Sequence, residues 1–170
     1  MESPLALTPL RPREFFGTPW SGEGEWTPSP WLRRLPAPRR FRFHSFTSPI
    51  TDELWLVHDT TTWDNGREER RDGTARLLAA DKIRLAYDDM PGGTEIQLHA
   101  GGFAFSPYRM LVLIPFLPVP LQILAHDTCR WDPAREELRD TIELRFMGLP
   151  LGRQVMHLRP DPDPSAGGHA

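Results

Sequence analysis

Apolar and polar residues alternate in short runs along most of this chain. Turn-forming residues separate the runs, and no stretch carries the three-to-four spacing of a long helix. Phe41 to Phe46 reads as a strand after a proline-rich loop. Leu54 to Trp63 is rich in β-branched and aromatic residues and stops at Asp64-Asn65-Gly66, where Asn-Gly predicts a tight hairpin turn with positive φ angles. Thr74 to Leu78 comes next, then Lys82 to Tyr87 with Ile83, Leu85 and Tyr87 on one side, and Pro91-Gly92-Gly93 breaks the chain. Thr94 to Ala100 sets Ile96 and Leu98 against Glu95, Gln97 and His99. Tyr108 to Ile114 and Leu121 to Trp131 follow, before a turn at Asp132-Pro133. Thr141 to Phe146 alternates most cleanly, with Ile142, Leu144 and Phe146 facing one way, and a last strand lies near Arg153 to Arg159. The pattern predicts about nine or ten strands in one all-β antiparallel barrel or sandwich.

Two ends depart from it. Residues 1–13 are rich in proline and small residues, and 161–170 form a polar Pro/Gly stretch, so both are expected to be disordered tails around one domain spanning 14–160. A domain of that size buries about two-thirds of its unfolded surface, enough for a core without staples. The net charge of -3 gives no general attraction to nucleic acid. The single cysteine, Cys129, excludes an intramolecular disulfide and reads as a small apolar residue. Residues 1–12 have no apolar signal-like stretch, so a cytoplasmic location is expected.

Met110 to Ala125 is nearly all apolar but interrupted by Pro115, Pro118 and Pro120. It is too short and too proline-rich for a membrane span. It reads as two buried strands joined by an apolar loop, or as a hydrophobic lid able to touch a membrane surface or a protein partner, a second copy of the chain included.

Candidate chemistry is sparse. There is no nucleophile elbow, phosphate loop or metalloprotease helix. No metal site is legible, because the six histidines show no HxH or HxxxH pairing. His58-Asp59 and His126-Asp127 are neighbours whose side chains project to opposite strand faces. His99 and His157, in alternating strands, are the better histidine candidates. Gly22-x-Gly24 reads as close packing, and Glu68 to Asp72 as a solvated charge run.

The strand order and the opening Gly17…Trp20-Ser21-Gly22-Glu23-Gly24 resemble the calycin superfamily of lipocalins and fatty-acid-binding proteins. In detail the chain is similar to an uncharacterised bacterial family of lipocalin-like barrels, through Glu14-Phe15-Phe16-Gly17, Arg39-Arg40-Phe41-x-Phe43, Asp64-Asn65-Gly66-x-Glu68-x-Arg70, Tyr87-Asp88-Asp89-Met90-Pro91-Gly92, Ala100-Gly101-Gly102-x-Ala104 and Phe146-Met147-Gly148-x-x-Leu151-Gly152. The resemblance implies a barrel holding a fatty-acid-like or other amphipathic ligand without covalent chemistry. It also implies that Trp20 packs across a barrel end beneath Arg159 or Arg153. On the same reading Arg130, Arg145, His99 and Tyr108 are the ligand-binding candidates, with Arg145 a carboxylate anchor if its face lines the interior. Gly148-Leu149-Pro150-Leu151 also resembles the nitrobindin-type haem barrels, whose iron-binding histidine sits six residues beyond that glycine. Gln154 occupies that position here, and His157 lies three further on, facing the other way on a regular strand. Haem is therefore the alternative cofactor, through His157 or His99. A barrel isomerase or cyclase is a third class, for which no polar interior pair is identifiable in the sequence.

Overall fold

In the computed structural model, which describes residues 11–112 and 119–161, the expected all-β architecture is a closed antiparallel barrel. A short helix, α1 (Pro12–Phe16), precedes β1 (Trp20–Pro28), β2 (Arg40–Thr51), β3 (Leu54–Trp63), β4 (Glu68–Ala79), β5 (Lys82–Tyr87) and β6 (Thr94–His99). Then come β7 (Gly102–Phe105), β8 (Tyr108–Val112), β9 (Leu121–Asp132), β10 (Glu137–Phe146) and β11 (Leu149–Pro160). Each strand from β1 to β6 pairs with the next. β7 then pairs with β9, β9 with β10, β10 with β11, and β11 with β1, so ten strands make a ring. The eleventh, β8, runs along β9 beyond the end of β7 and pairs with residues 121–125.

Alternation decides what faces inward. Trp55 and Val57 on β3, Ile83 and Leu85 on β5, Ile96 and Leu98 on β6, and Met156 and Leu158 on β11 all belong to one buried cluster. On β10, Ile142 packs against that cluster while Glu143 and Arg145 are exposed, so the apolar face predicted for this strand is the inner one. The middle of the apolar 110–125 segment, residues 113–118, lies outside the described residues, and its flanks form β8 and the start of β9. Residues 1–10 and 162–170, most of the two expected tails, also lie outside them. Pro12 and Arg13 belong to α1.

Three local details differ from expectation. At the β3–β4 hairpin only Gly66 takes a positive φ, 82°, and Asn65 does not. The Gly66 N–H donates to the Trp63 carbonyl at 2.9 Å, and Asn65 Oδ1 accepts from the Arg67 N–H at 3.1 Å. The turn therefore carries a single left-handed glycine where a two-residue Asn-Gly turn would carry two positive φ values. Second, β4 begins at Glu68 where a start near Thr74 is expected, so the charge run lies in the barrel wall, with Glu68, Glu69, Arg70 and Asp72 exposed as expected and Arg71 half-buried. Third, Trp20 is buried, donates its indole N–H to the Phe15 carbonyl at 3.0 Å, and packs against Phe15 and Trp131. Arg159 instead reaches Glu137 at 3.4 Å.

Close packing explains the β1 glycines. A Cβ on Gly22 would sit 1.9 Å from the His157 carbonyl oxygen, and one on Gly24 would sit 2.2 Å from the Phe41 ring. α1 seals one end of the barrel: Phe16 stacks on Trp55 with ring centroids 5.3 Å apart, and Phe15 meets Phe103 at 4.9 Å.

Leu138 is wholly buried at the start of β10. Leu138→Ala should lower the unfolding free energy by about 2–5 kcal/mol, through lost apolar burial and the cavity left behind. Chemical denaturation checks this, and a loss below about 1 kcal/mol would show that the site collapses around the smaller residue.

Candidate functional site

Inside the barrel lies a partly open cavity of about 140 Å³. Its apolar wall includes Phe43, Val57, Leu85, Phe103, Ile142 and Met156. Across this wall runs a polar belt that includes Asp59, Arg71, Tyr87, Tyr108, Asp127 and Asp140, with Cys129 between the last two.

Each belt residue is placed by strand parity. Asp59 follows Trp55 and Val57 on the inner face of β3, Asp127 follows Ile123 and Ala125 on β9, and Asp140 follows Leu138 on β10. His58 and His126, one residue away, point outward as the sequence predicts. Arg71 is the inward member of the charge run. Its side chain keeps 28% exposure, its guanidinium lies 4.2 Å from the Tyr87 ring centroid, and Nη2 donates to Asp89 Oδ1 at 2.7 Å.

The Tyr87 hydroxyl donates to Asp59 Oδ2 at 2.5 Å, and the Tyr108 hydroxyl donates to Asp127 Oδ2 at 3.1 Å. Burial pushes both phenols well above their usual range, and the neighbouring carboxylates add to it, so both remain donors at neutral pH. Burial also raises Asp59, partly offset by the Tyr87 hydrogen bond. It raises Asp127 further, because Asp140 lies beside it and two adjoining carboxylates do not both ionise readily. Burial raises Asp140 as well. The two carboxyls adjoin and resist ionising together, so they titrate as a pair. Cys129 is pushed well up by burial and by both aspartates, which keeps it a thiol.

The sequence candidates are distributed unevenly over this geometry. Tyr108 lines the cavity. Arg145 and His99 are exposed, with His99 Nδ1 3.2 Å from the Ala100 carbonyl. Arg130 and His157 meet in a different place, an open polar hollow of about 420 Å³ on the outer wall, where Glu137 lies 3.0 Å from His157 Nδ1. Among the described residues no histidine lines the inner cavity, so it offers no imidazole to a haem iron, and 140 Å³ is far smaller than a porphyrin.

Sequence reasoning missed Asp59, Arg71, Asp127 and Asp140. The signal for the aspartates was parity: each carries the phase of an apolar face. Arg71 gave none, since charged residues surround it in sequence.

No known protein family and no curated protein matches the chain. Among solved structures it is similar to the crystal structure of Rv2717c from M. tuberculosis, with a TM-score of 0.51 and 14% identity, covering 86% of this chain and 92% of that one. At this identity the likeness is one of fold.

Because Asp59 binds its proton more tightly folded than unfolded, the native state takes up the extra proton as pH falls. Stability owed to this group therefore increases from neutral pH down toward the ordinary carboxyl range. The melting temperature of wild type relative to Asp59→Asn should accordingly climb between about pH 8 and about pH 5. A constant difference across that range would mean that Asp59 does not titrate there.

Proposed function

We propose that this chain is a calycin-like binding barrel that encloses a compact amphipathic molecule without covalent chemistry. The observation that carries the reading is the lining of the interior cavity: an aromatic and aliphatic wall crossed by one belt of hydrogen-bonding groups, the usual make-up of a small-molecule site.

Volume and charge narrow the ligand. A cavity of about 150 Å³ takes a benzene ring, whereas drug-sized ligands occupy about 300–1,000 Å³. The fit is therefore to a molecule of roughly one ring, and a long acyl chain would have to displace side chains or α1. Arg71 is the arginine at the cavity, and Asp89 already engages it. Three buried carboxyl groups share the same space. That balance favours a hydroxyl or an ammonium head over a fatty-acid carboxylate.

Native mass spectrometry of gently purified protein, followed by calorimetric titration with p-cresol, benzylamine and octanoate, tests this. The expected result is one bound p-cresol or benzylamine per chain and a much weaker response to octanoate. Val57→Phe, which fills part of the cavity, should reduce binding at least tenfold while the circular dichroism spectrum stays unchanged. Failure of all three probes, with no co-purifying mass, would overturn the reading. Tight octanoate binding would restore the lipid class.

A further inference from the structure

We propose that Asp127, Cys129 and Asp140 form a binding site for a divalent, borderline-soft metal ion of the zinc type on the inner wall of the barrel.

The site is built by two strands. Asp127 and Cys129, two apart on β9, share the inner face, and Asp140 on β10 stands directly opposite Cys129 in the ladder. One carboxylate oxygen from each aspartate and the Cys129 sulfur all lie within 4.8 Å of one another, and the three residues are 5%, 3% and 5% exposed. A tetrahedral ion with bonds of about 2.0–2.3 Å holds its donors about 3–4 Å apart, so small side-chain rotations close the set.

Acidic groups alone would not make a site. The independent observation is that Asp127 Oδ1 and Asp140 Oδ1 are buried with no N–H or hydroxyl donor directed at either. Tyr87 and Tyr108 satisfy Asp59 Oδ2 and Asp127 Oδ2, and Asp59 Oδ1, likewise without a partner, stands outside this cluster of three. Buried acceptors are costly when unmatched, so positive charge, either the pair's own proton or a cation, has to sit between these two.

Donor chemistry selects the cation. Calcium and magnesium take six or more oxygens and no sulfur, whereas a thiolate beside two carboxylates suits zinc. An organic ammonium would gain nothing from Cys129. The Tyr108 hydroxyl, bonded to Asp127 Oδ2, orients that ligand from behind, as the outer partners of metal ligands do. Three protein donors leave the fourth position facing the cavity, open to water or to a bound molecule's donor atom. Zinc entry displaces two protons, one from the carboxyl pair and one from the Cys129 thiol, and both leave to solvent.

The test uses the full chain after chelator treatment, titrated with cobalt as a spectroscopic probe and with zinc. One cobalt per chain should bind with a thiolate-to-cobalt charge-transfer band in the near ultraviolet. Zinc should abolish the band and release about two protons, read with a pH indicator. Cys129→Ser should lose the band, and Asp140→Asn should weaken zinc binding at least tenfold. His157→Ala, on the outer wall, should change neither. Should the two buried variants fail to fold, the wild-type band and proton count decide alone. No stoichiometric cobalt, or cobalt bound without a thiolate band, overturns the proposal, leaving the proton alone as the bridge. The outcome is independent of whether p-cresol or benzylamine binds.

Discussion

Everything inside this molecule depends on one ladder, the pairing of β9 with β10. Without it the strands would form an open sheet with two unpaired edges, and there would be no interior. Closure satisfies the backbone hydrogen bonds of both edges at once and removes the exposed edges through which sheets aggregate. The same ladder fixes chemistry as well as shape. Its register sets Asp140 across from Cys129, so the step that makes the barrel also brings two carboxyl groups and a thiol together on its wall.

The interior is not optimised for stability alone. Three aspartates, Tyr108 and Cys129 are buried where aliphatic residues would pack at lower cost, and the half-buried Tyr87 and Arg71 add polar groups to the same space. Hydrogen bonds from Tyr87 and Tyr108, and the Arg71–Asp89 pair, offset part of that cost.

Much of the architecture was legible in the sequence, because the period of two was strong where one face met water. Lys82 to Tyr87, Thr94 to Ala100 and Thr141 to Phe146 lie on observed strands, in the expected phase. β7 was harder to see, since four residues are too few to show a period, and α1 is a five-residue helix that straddles the expected boundary between tail and domain. The site was the least legible part. Alternation gives two faces but does not name the inner one when both carry charge, as around Arg71. Asp127 and Asp140 come together only through a cross-strand register, which composition does not encode. Of the four ligand-binding candidates only Tyr108 lines the cavity.

The seal at the barrel end has a further consequence. α1 is held by ring contacts with Trp55 and Phe103, by the Trp20 indole bond and by a hydrogen bond from Thr47 to the Phe16 carbonyl, and it contributes nothing to any strand ladder. Lifting it away would break no inter-strand bond. Phe16 nevertheless belongs to the same buried cluster as the strand residues, with Phe15 packed against it, so the cover of this end is also part of the core, and a change at Phe16 that loosens the cover lowers the melting point as well.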